Sequence, residues 1–141
     1  MIEHIQANAE MTIQQLRPLS RMDFGYTPES VNWLEGYIER LRQSGKFTDE
    51  ATRRKLVSVL GSFLGECIVR CYGGGWTQRD GVWCVAFPGD NLVFPFTKVS
   101  KQMERGLEDG IRGFFDAVPV LLKEYVRIPS GPPRKPWWKF W

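Results

Sequence analysis

Hydrophobic residues in the first third of the chain recur at every third or fourth position, a spacing that predicts amphipathic helices. The first predicted helix carries Ile2, Ile5, Ala9, Ile13 and Leu16 on one face, and the second carries Val31, Leu34, Ile38 and Leu41. Pro18 is expected to close the first helix, because a helix interior disfavours proline. Thr27 as N-cap and Pro28 at the first helical position predict where the second helix begins, and Gly45 predicts its end.

The third predicted helix runs from about Asp49 to Tyr72, with Thr48 or Asp49 as its cap. It is apolar around most of its circumference and is therefore expected to be buried and central. Its core positions are predicted to be Leu60, Phe63, Leu64, Cys67 and Cys71, packed against a sheet. A second stripe holds only small residues, namely Ser58, Gly61, Ser62 and Gly65. Since glycine in a helix costs about 1 kcal/mol relative to alanine, this stripe is expected to let another element approach the helix backbone closely.

After Gly73-Gly74-Gly75 the pattern changes to alternation, which predicts β-strands. Asp80-Gly81 is a two-residue hairpin signal, and the turn Pro88-Gly89-Asp90-Asn91 leads into a third strand, LVFPF. The result is a predicted three-stranded antiparallel meander, whose last strand Pro95 places at an edge. Val82, Cys84 and Ala86 alternate with Trp83, Val85 and Phe87, so both faces of the sheet are apolar.

Two further helices follow the predicted sheet. Val99 and Met103 mark a short helix, and Leu107, Ile111, Phe114, Phe115 and Val118 mark a longer one. Pro119 is expected to kink or divide the longer helix near Ala117. The predicted fold class is α+β, with helices packed on a small antiparallel sheet. One domain over residues 1–128 is followed by a proline-rich linker and a basic-aromatic tail over 129–141.

The formal net charge of +3 belongs to one segment of the chain. The tail holds Arg134, Lys135 and Lys139, and the other 16 of the chain's 19 cations balance its 16 acidic side chains. A neutral body lacks the broad basic surface that nucleic-acid binding needs, so no nucleic-acid partner is expected.

Cys67, Cys71 and Cys84 are interpreted as reduced thiols in the core. The first residues include acids and amides where a signal peptide has a basic start and an apolar stretch, and no apolar run reaches the roughly 18 residues of a membrane span. A cytoplasmic location is therefore expected. Zinc ligation by the three thiolates is the alternative, but Cys67 and Cys71 would lie on the apolar stripe of a helix. No metal and no cofactor is predicted.

No complete catalytic constellation is apparent in the sequence. The only histidine is His4, so a His-dependent triad would rest on that one residue. Glu66 and Arg70 are spaced as a helical ion pair, and Asp109 is placed to cap the helix that follows it. An enzyme that uses Glu66 and Asp109 with Lys101 is the alternative, and it requires these three side chains to converge in one pocket.

Lys98, Lys101 and Arg105 are expected on one side of the short helix, opposite its apolar residues. Such a face could receive an acidic partner or a phosphate. The simpler interpretation is a solvated polar face.

Two stretches, LVSVLGSFLGECIVRCYGGGW and FPFTKVSKQMERGLEDGIRGFF, resemble a family of small uncharacterised bacterial proteins that share a domain of unknown function. That family pairs an LGxxLGE-type helix and Gly-Gly-x-Trp with a Pro-Phe-x-x-Val-x-Lys segment and a Gly-x-x-Asp motif before an aromatic helix. The resemblance covers roughly residues 22–117 and implies a bacterial, cytosolic α+β domain, with no activity to transfer. Gly110 stands where the family pattern suggests serine, and the tail lies outside the shared region.

The tail sequence RKPWWKFW sets Trp137, Trp138, Phe140 and Trp141 beside the three cations. Three destinations are open for these rings, because four aromatic side chains left in water favour aggregation. They could pack on the sheet face beside Trp83 and Phe87, or on another copy of the chain. They could also enter a groove on a partner protein, or lie in the headgroup layer of an anionic membrane.

The function predicted from these observations is a non-catalytic protein-interaction module, with an immunity or antitoxin-like protein as a narrower possibility. The predicted partner-binding residues are Arg134, Lys135, Trp137, Trp138, Lys139, Phe140 and Trp141 of the tail, together with Lys98, Lys101 and Arg105. The alternatives are the small carboxylate enzyme and a protein that associates with membranes through its tail.

Overall fold

A computed structural model describes residues 1–45 and 49–127 of the chain. Five α-helices and three strands lie in the order α1 (Ile2–Ser20), α2 (Pro28–Gln43), α3 (Glu50–Tyr72), β1 (Gly75–Arg79), β2 (Val82–Phe87), β3 (Asn91–Val93), α4 (Pro95–Arg105) and α5 (Ile111–Arg127), with a 3₁₀ turn over Gly106–Asp109 before α5. The strands form one antiparallel sheet in the order β1-β2-β3. The predicted α+β class and the meander are confirmed.

Local signals in the sequence set the ends of α2 and α3. Thr27 is the N-cap of α2, and its hydroxyl accepts a hydrogen bond from the Ser30 N–H at 3.2 Å. Asp49 caps α3 through the Ala51 N–H at 3.3 Å. At the other end of α3, Gly73 adopts the left-handed conformation with φ 86°, which glycine reaches without the steric cost of a Cβ.

Two prolines, Pro18 and Pro95, behave differently from their predictions. Pro18 lies inside the last turn of α1, which continues to Ser20 and ends at Arg21 in the left-handed conformation. Pro95 does not belong to an edge strand. It opens α4 instead, where its fixed φ and missing N–H suit the first helical position. Pro119 lies inside α5, which runs as one helix from Ile111 to Arg127 and is therefore not divided near Ala117.

One face of the sheet, here called the inner face, packs on α3 and α4, and the opposite face is called the outer face. Asp80 and Gly81, with φ of 53° and 78°, form the tight turn between β1 and β2 that the sequence predicts. In the resulting register, the inner face carries Trp76, Val85, Phe87 and Val93, and the outer face carries Val82, Cys84, Ala86 and Leu92. Phe87 therefore belongs to the core. The prediction that the tail could pack beside Phe87 on an exposed sheet face is wrong for this residue.

Helix α3 is the central element, as the sequence predicts. Leu60, Phe63, Leu64 and Cys67 are buried in the core that α3 forms with α1, α2, α4, α5 and the sheet. The prediction is wrong for Cys71, which is exposed. Cys71 lies in the last turn of α3, and its thiol faces the backbone carbonyl of Tyr26 at 3.6 Å instead of the sheet.

The stripe of small residues on α3 receives aromatic side chains. A Cβ added at Gly65 would overlap the indole of Trp76, and one added at Gly61 would overlap the ring of Phe96. The predicted close approach is confirmed, with β1 and α4 as the approaching elements. No helix in the described part of the chain has both the length and the apolar character of a membrane span.

Truncation of a central core residue should destabilise the fold strongly. Leu64→Ala is expected to lower the free energy of unfolding by about 2–5 kcal/mol, because it removes buried methyl groups and leaves a cavity. Urea denaturation gives the measurement, and Leu107→Ala, at a side chain that is 59% exposed, is the matched control with a change below about 0.5 kcal/mol. Equal effects of the two variants would contradict the central position of α3.

Two glycine-to-alanine substitutions should have opposite effects on stability. Gly65→Ala is expected to cost about 1–3 kcal/mol, because its methyl group needs the space that the Trp76 indole fills. At Gly113, in α5, an added Cβ meets nothing within 4 Å, so Gly113→Ala should stabilise by up to about 1 kcal/mol. Thermal unfolding of both variants provides the comparison, and a stabilising Gly65→Ala would refute the close approach.

Candidate functional site

A buried carboxylate joins α3 to the sheet. Glu66 is 2% exposed. One of its oxygens accepts a hydrogen bond from the Trp76 indole N–H at 2.8 Å, and the other accepts one from the Arg70 guanidinium at 3.1 Å. The predicted ion pair of Glu66 and Arg70 is thus present, and the Trp76 indole is a second partner of the same carboxylate. Both carboxylate oxygens are engaged inside the fold.

The polar network continues from Arg70 to the surface of α1. The Arg70 guanidinium lies over the Tyr26 ring at 4.1 Å from its centroid, a favourable cation–π geometry. The Tyr26 hydroxyl donates a hydrogen bond to Glu10 at 2.7 Å. Burial first, and then the Glu10 carboxylate, raise the pKa of Tyr26 above its usual value. The network from Glu10 to Trp76 therefore ties α1, the α1–α2 connection, α3 and β1 together.

A second buried charge lies on α4. Lys98 is 7% exposed, and its ammonium is 3.4 Å from one oxygen of Asp109, whose other oxygen is 3.6 Å from the Arg105 guanidinium. Burial lowers the pKa of Lys98, and the neighbouring Asp109 carboxylate opposes that effect. The predicted solvated face is therefore wrong for Lys98, which lies on the buried stripe of α4 with Val99 and Gln102.

The start of α5 is capped by side chains from other helices. The Gln102 side-chain oxygen accepts a hydrogen bond from the Ile111 N–H at 3.0 Å, and a Glu35 carboxylate oxygen accepts one from the Arg112 N–H at 3.2 Å. Asp109, predicted as the cap, pairs with the cations of α4 instead. A Cβ at Gly110 would overlap the Glu35 carboxylate. Glycine at this position therefore leaves room for Glu35 to accept the hydrogen bond from the Arg112 N–H.

An open groove of about 410 Å³ runs between α3 and α4. It is lined by Val57, Phe96, Thr97, Ser100, Lys101, Glu104 and Arg105, and we refer to it as the α3–α4 groove. The Arg105 side chain is 62% exposed, whereas Lys101 is half-buried. Two of the three predicted cations on α4, Lys101 and Arg105, therefore line this groove, and buried Lys98 does not.

The cysteine side chains occupy three different environments. Cys67 and Cys84 are buried and Cys71 is exposed. Burial raises the pKa of each thiol above its usual value, which favours the unreactive protonated form. Within residues 1–45 and 49–127, no three His, Cys, Asp or Glu side chains lie close enough together to hold a metal ion.

The residues of the proposed carboxylate enzyme fall in separate places. Glu66 is bonded to Arg70 and Trp76, whereas Asp109 is paired with Lys98 and Arg105. Lys101 lines the α3–α4 groove, to which neither carboxylate contributes. His4 is exposed in the first turn of α1. The predicted partner-binding residues of the tail, from Arg134 to Trp141, lie outside the described residues.

Comparison of the chain with models of protein families, with curated proteins and with solved structures gave no match. The resemblance to a family of small bacterial proteins therefore stays a prediction.

The pairing of Lys98 with Asp109 should make stability depend on pH. Asp109→Asn is expected to cost about 1–3 kcal/mol at neutral pH, because the buried ammonium loses its carboxylate partner. With Asp109 gone, the lowered pKa of Lys98 should fall further. Between that folded-state pKa and the higher unfolded-state pKa, the unfolded chain binds more protons, so stability rises with pH. The deficit of the variant should shrink as pH increases from neutral toward the ordinary lysine range, which urea denaturation at a series of pH values can measure.

Asp116→Asn is the matched control for this experiment. Asp116 forms an i, i+4 pair with Arg112, and its side chain is 53% exposed, so its replacement should cost less than about 1 kcal/mol. A deficit of Asp109→Asn that stays constant with pH, or that equals the control, would contradict the role given to Asp109.

Proposed function

We propose that this chain is a non-catalytic protein-interaction module that binds its partner in the α3–α4 groove. The observation that carries the proposal is the composition of that groove. Val57 and Phe96 provide apolar surface, Thr97 and Ser100 provide hydroxyl groups, and Lys101 and Arg105 provide cations. Interfaces combine an apolar centre with polar and charged groups around it in this way, and arginine is favoured at their energetic centres.

The charges of the groove indicate the chemistry of the partner. Lys101 and Arg105 outweigh Glu104, so the groove is basic on balance. A partner segment that alternates acidic and apolar side chains would complement it, because charge complementarity sets orientation and association rate while apolar contact supplies affinity. Asp109 holds Arg105 from one side, which limits the side-chain entropy that binding would cost.

The chemistry inside the fold supports an interaction role over catalysis. A catalytic carboxylate needs an unengaged oxygen near its substrate, but both oxygens of Glu66 are hydrogen-bonded within the protein. The thiols have raised pKa values, which disfavour the thiolate nucleophile. These groups hold the fold together, and among the described residues we assign recognition to the α3–α4 groove.

Charge reversal in the groove should weaken partner binding. Lys101→Glu together with Arg105→Glu is expected to weaken binding about tenfold or more, because like charges would then face an acidic partner. Quantitative capture from a lysate of the source cells identifies the partner, and calorimetry with the purified partner then measures both affinities and their dependence on salt.

Arg21→Glu together with Arg79→Glu makes the same change in net charge at two exposed positions outside the groove and should leave binding intact. A partner whose affinity is the same for all three chains would show that the groove is not the binding surface. Failure to recover any protein that depends on the groove would count against the interaction role itself.

A further inference from the structure

The α3–α4 groove follows the axis of α4. Its lining on that helix begins at Phe96 and ends at Arg105, which corresponds to about 14 Å at a rise of 1.5 Å per residue. The opposite wall is α3, which contributes Val57. A segment that fills the groove therefore spans about two and a half turns if it is helical, or about four residues if it is extended.

The walls of the groove favour a helical occupant over an extended one. Every described lining residue belongs to α3 or α4, and the backbone groups inside a helix are bonded to one another. An extended segment would bury N–H and C=O groups that need partners, and buried backbone groups without partners are costly. The neutral hydrogen-bonding groups of the described lining are the hydroxyls of Thr97 and Ser100. A helix satisfies its own backbone and requires only side-chain contacts from the groove.

Contacts inside the fold hold the aromatic side chain of the groove in place. The Phe96 ring fills the space that a Cβ at Gly61 of α3 would need, and its centroid is 5.8 Å from that of the Trp76 ring. Phe96 and Val57 are both half-buried, so part of each side chain is available to an occupant. Because the Phe96 ring is already ordered, binding against it costs little side-chain entropy.

The two cations of the groove are separated by about one helical turn. Lys101 and Arg105 lie four positions apart on α4, which is about 6 Å along its axis. On a helix that runs along α4, two acidic residues four positions apart have the same separation and lie on one face. Glu104 adds a negative charge beside Arg105. This charge favours a basic residue opposite it and gives the occupant a defined register.

We propose that the partner segment bound in the α3–α4 groove is an amphipathic α-helix that lies along α4. Its apolar side chains pack against Val57 and Phe96, and two of its acidic residues, four positions apart, face Lys101 and Arg105. Helices bind hydrophobic grooves in this way, through anchor residues on successive turns. The inference rests on the function proposed for the groove and adds the conformation and the charge spacing of the partner.

Peptide selection on the full-length protein tests the conformation of the occupant. Two displayed peptide libraries are the probe, one with leucines at helical spacing in an alanine-rich background and one with proline at every fourth position, which prevents a helix. Acidic and basic residues are randomised into both. Groove-dependent peptides bind the unsubstituted chain and the Arg21→Glu, Arg79→Glu control, but not the Lys101→Glu, Arg105→Glu variant. We expect them from the helical library, with acidic residues four positions apart.

Moving one acidic residue within a selected peptide separates a helix from a strand. At unchanged composition, placing the second acid two positions after the first, instead of four, should weaken binding about tenfold or more, because the two side chains then face different sides of a helix. In a strand, residues two apart share a face, so an extended occupant would keep its affinity. Calorimetry measures both affinities. Retained affinity, or groove-dependent peptides mainly from the proline library, would overturn the helical occupant and leave the role of the groove intact.

Charge exchange shows whether the groove variant is folded. A selected peptide with its two acids changed to lysine should bind the Lys101→Glu, Arg105→Glu variant and not the unsubstituted chain. If that variant does not fold, a benzophenone amino acid in place of Thr97, an exposed lining residue, defines groove dependence by crosslinking to the bound peptide. Helical peptides that bind without this crosslink would overturn the inference. No groove-dependent peptide from either library would contradict the proposed function itself.

Discussion

The rest of the structure depends on the close approach of Trp76 to the backbone of α3 at Gly65. The indole occupies the space that any larger side chain at position 65 would fill. Its N–H donates a hydrogen bond to the carboxylate of Glu66, the next residue along α3. Steric fit and a charge-assisted hydrogen bond therefore act on the same ring. Because β1 is fixed in this way, the register of the meander fixes β2 and β3. Pro95 follows directly after β3, so the start of α4 is fixed as well.

Two buried charges specify positions that apolar packing alone leaves open. A hydrophobic contact tolerates sliding and rotation, whereas Glu66 is satisfied only when Trp76 and Arg70 both face it. Lys98 likewise requires the 3₁₀ turn that carries Asp109 to lie beside α4. Because burying a charge is costly, we infer that these two charges contribute more to the specificity of the fold than to its stability. Here the specified feature is the position of α4, whose other side forms the α3–α4 groove.

Features set by neighbouring residues could be predicted from the sequence, and features set by distant contacts could not. The Thr27 and Asp49 caps, the Gly73 helix end and the Asp80-Gly81 turn each depend on a few adjacent residues, and each agrees with the structure. The caps of α5 come from Gln102, nine positions before Ile111, and from Glu35, 77 positions before Arg112. No local pattern encodes a partner as distant as Glu35.

The candidate site was harder to predict than the fold for the same reason. Helical spacing grouped Lys98 with Lys101 and Arg105, but only the packing of the 3₁₀ turn on α4 shows that Lys98 is buried. Proline occurs both at the edges of sheets and at the first position of helices, so Pro95 alone does not distinguish the two. In the structure, β3 ends at Val93 and Pro95 begins α4. No local pattern in the sequence explains the glycine at position 110. The structure explains it, because the Glu35 carboxylate occupies the space that a Cβ at this position would need.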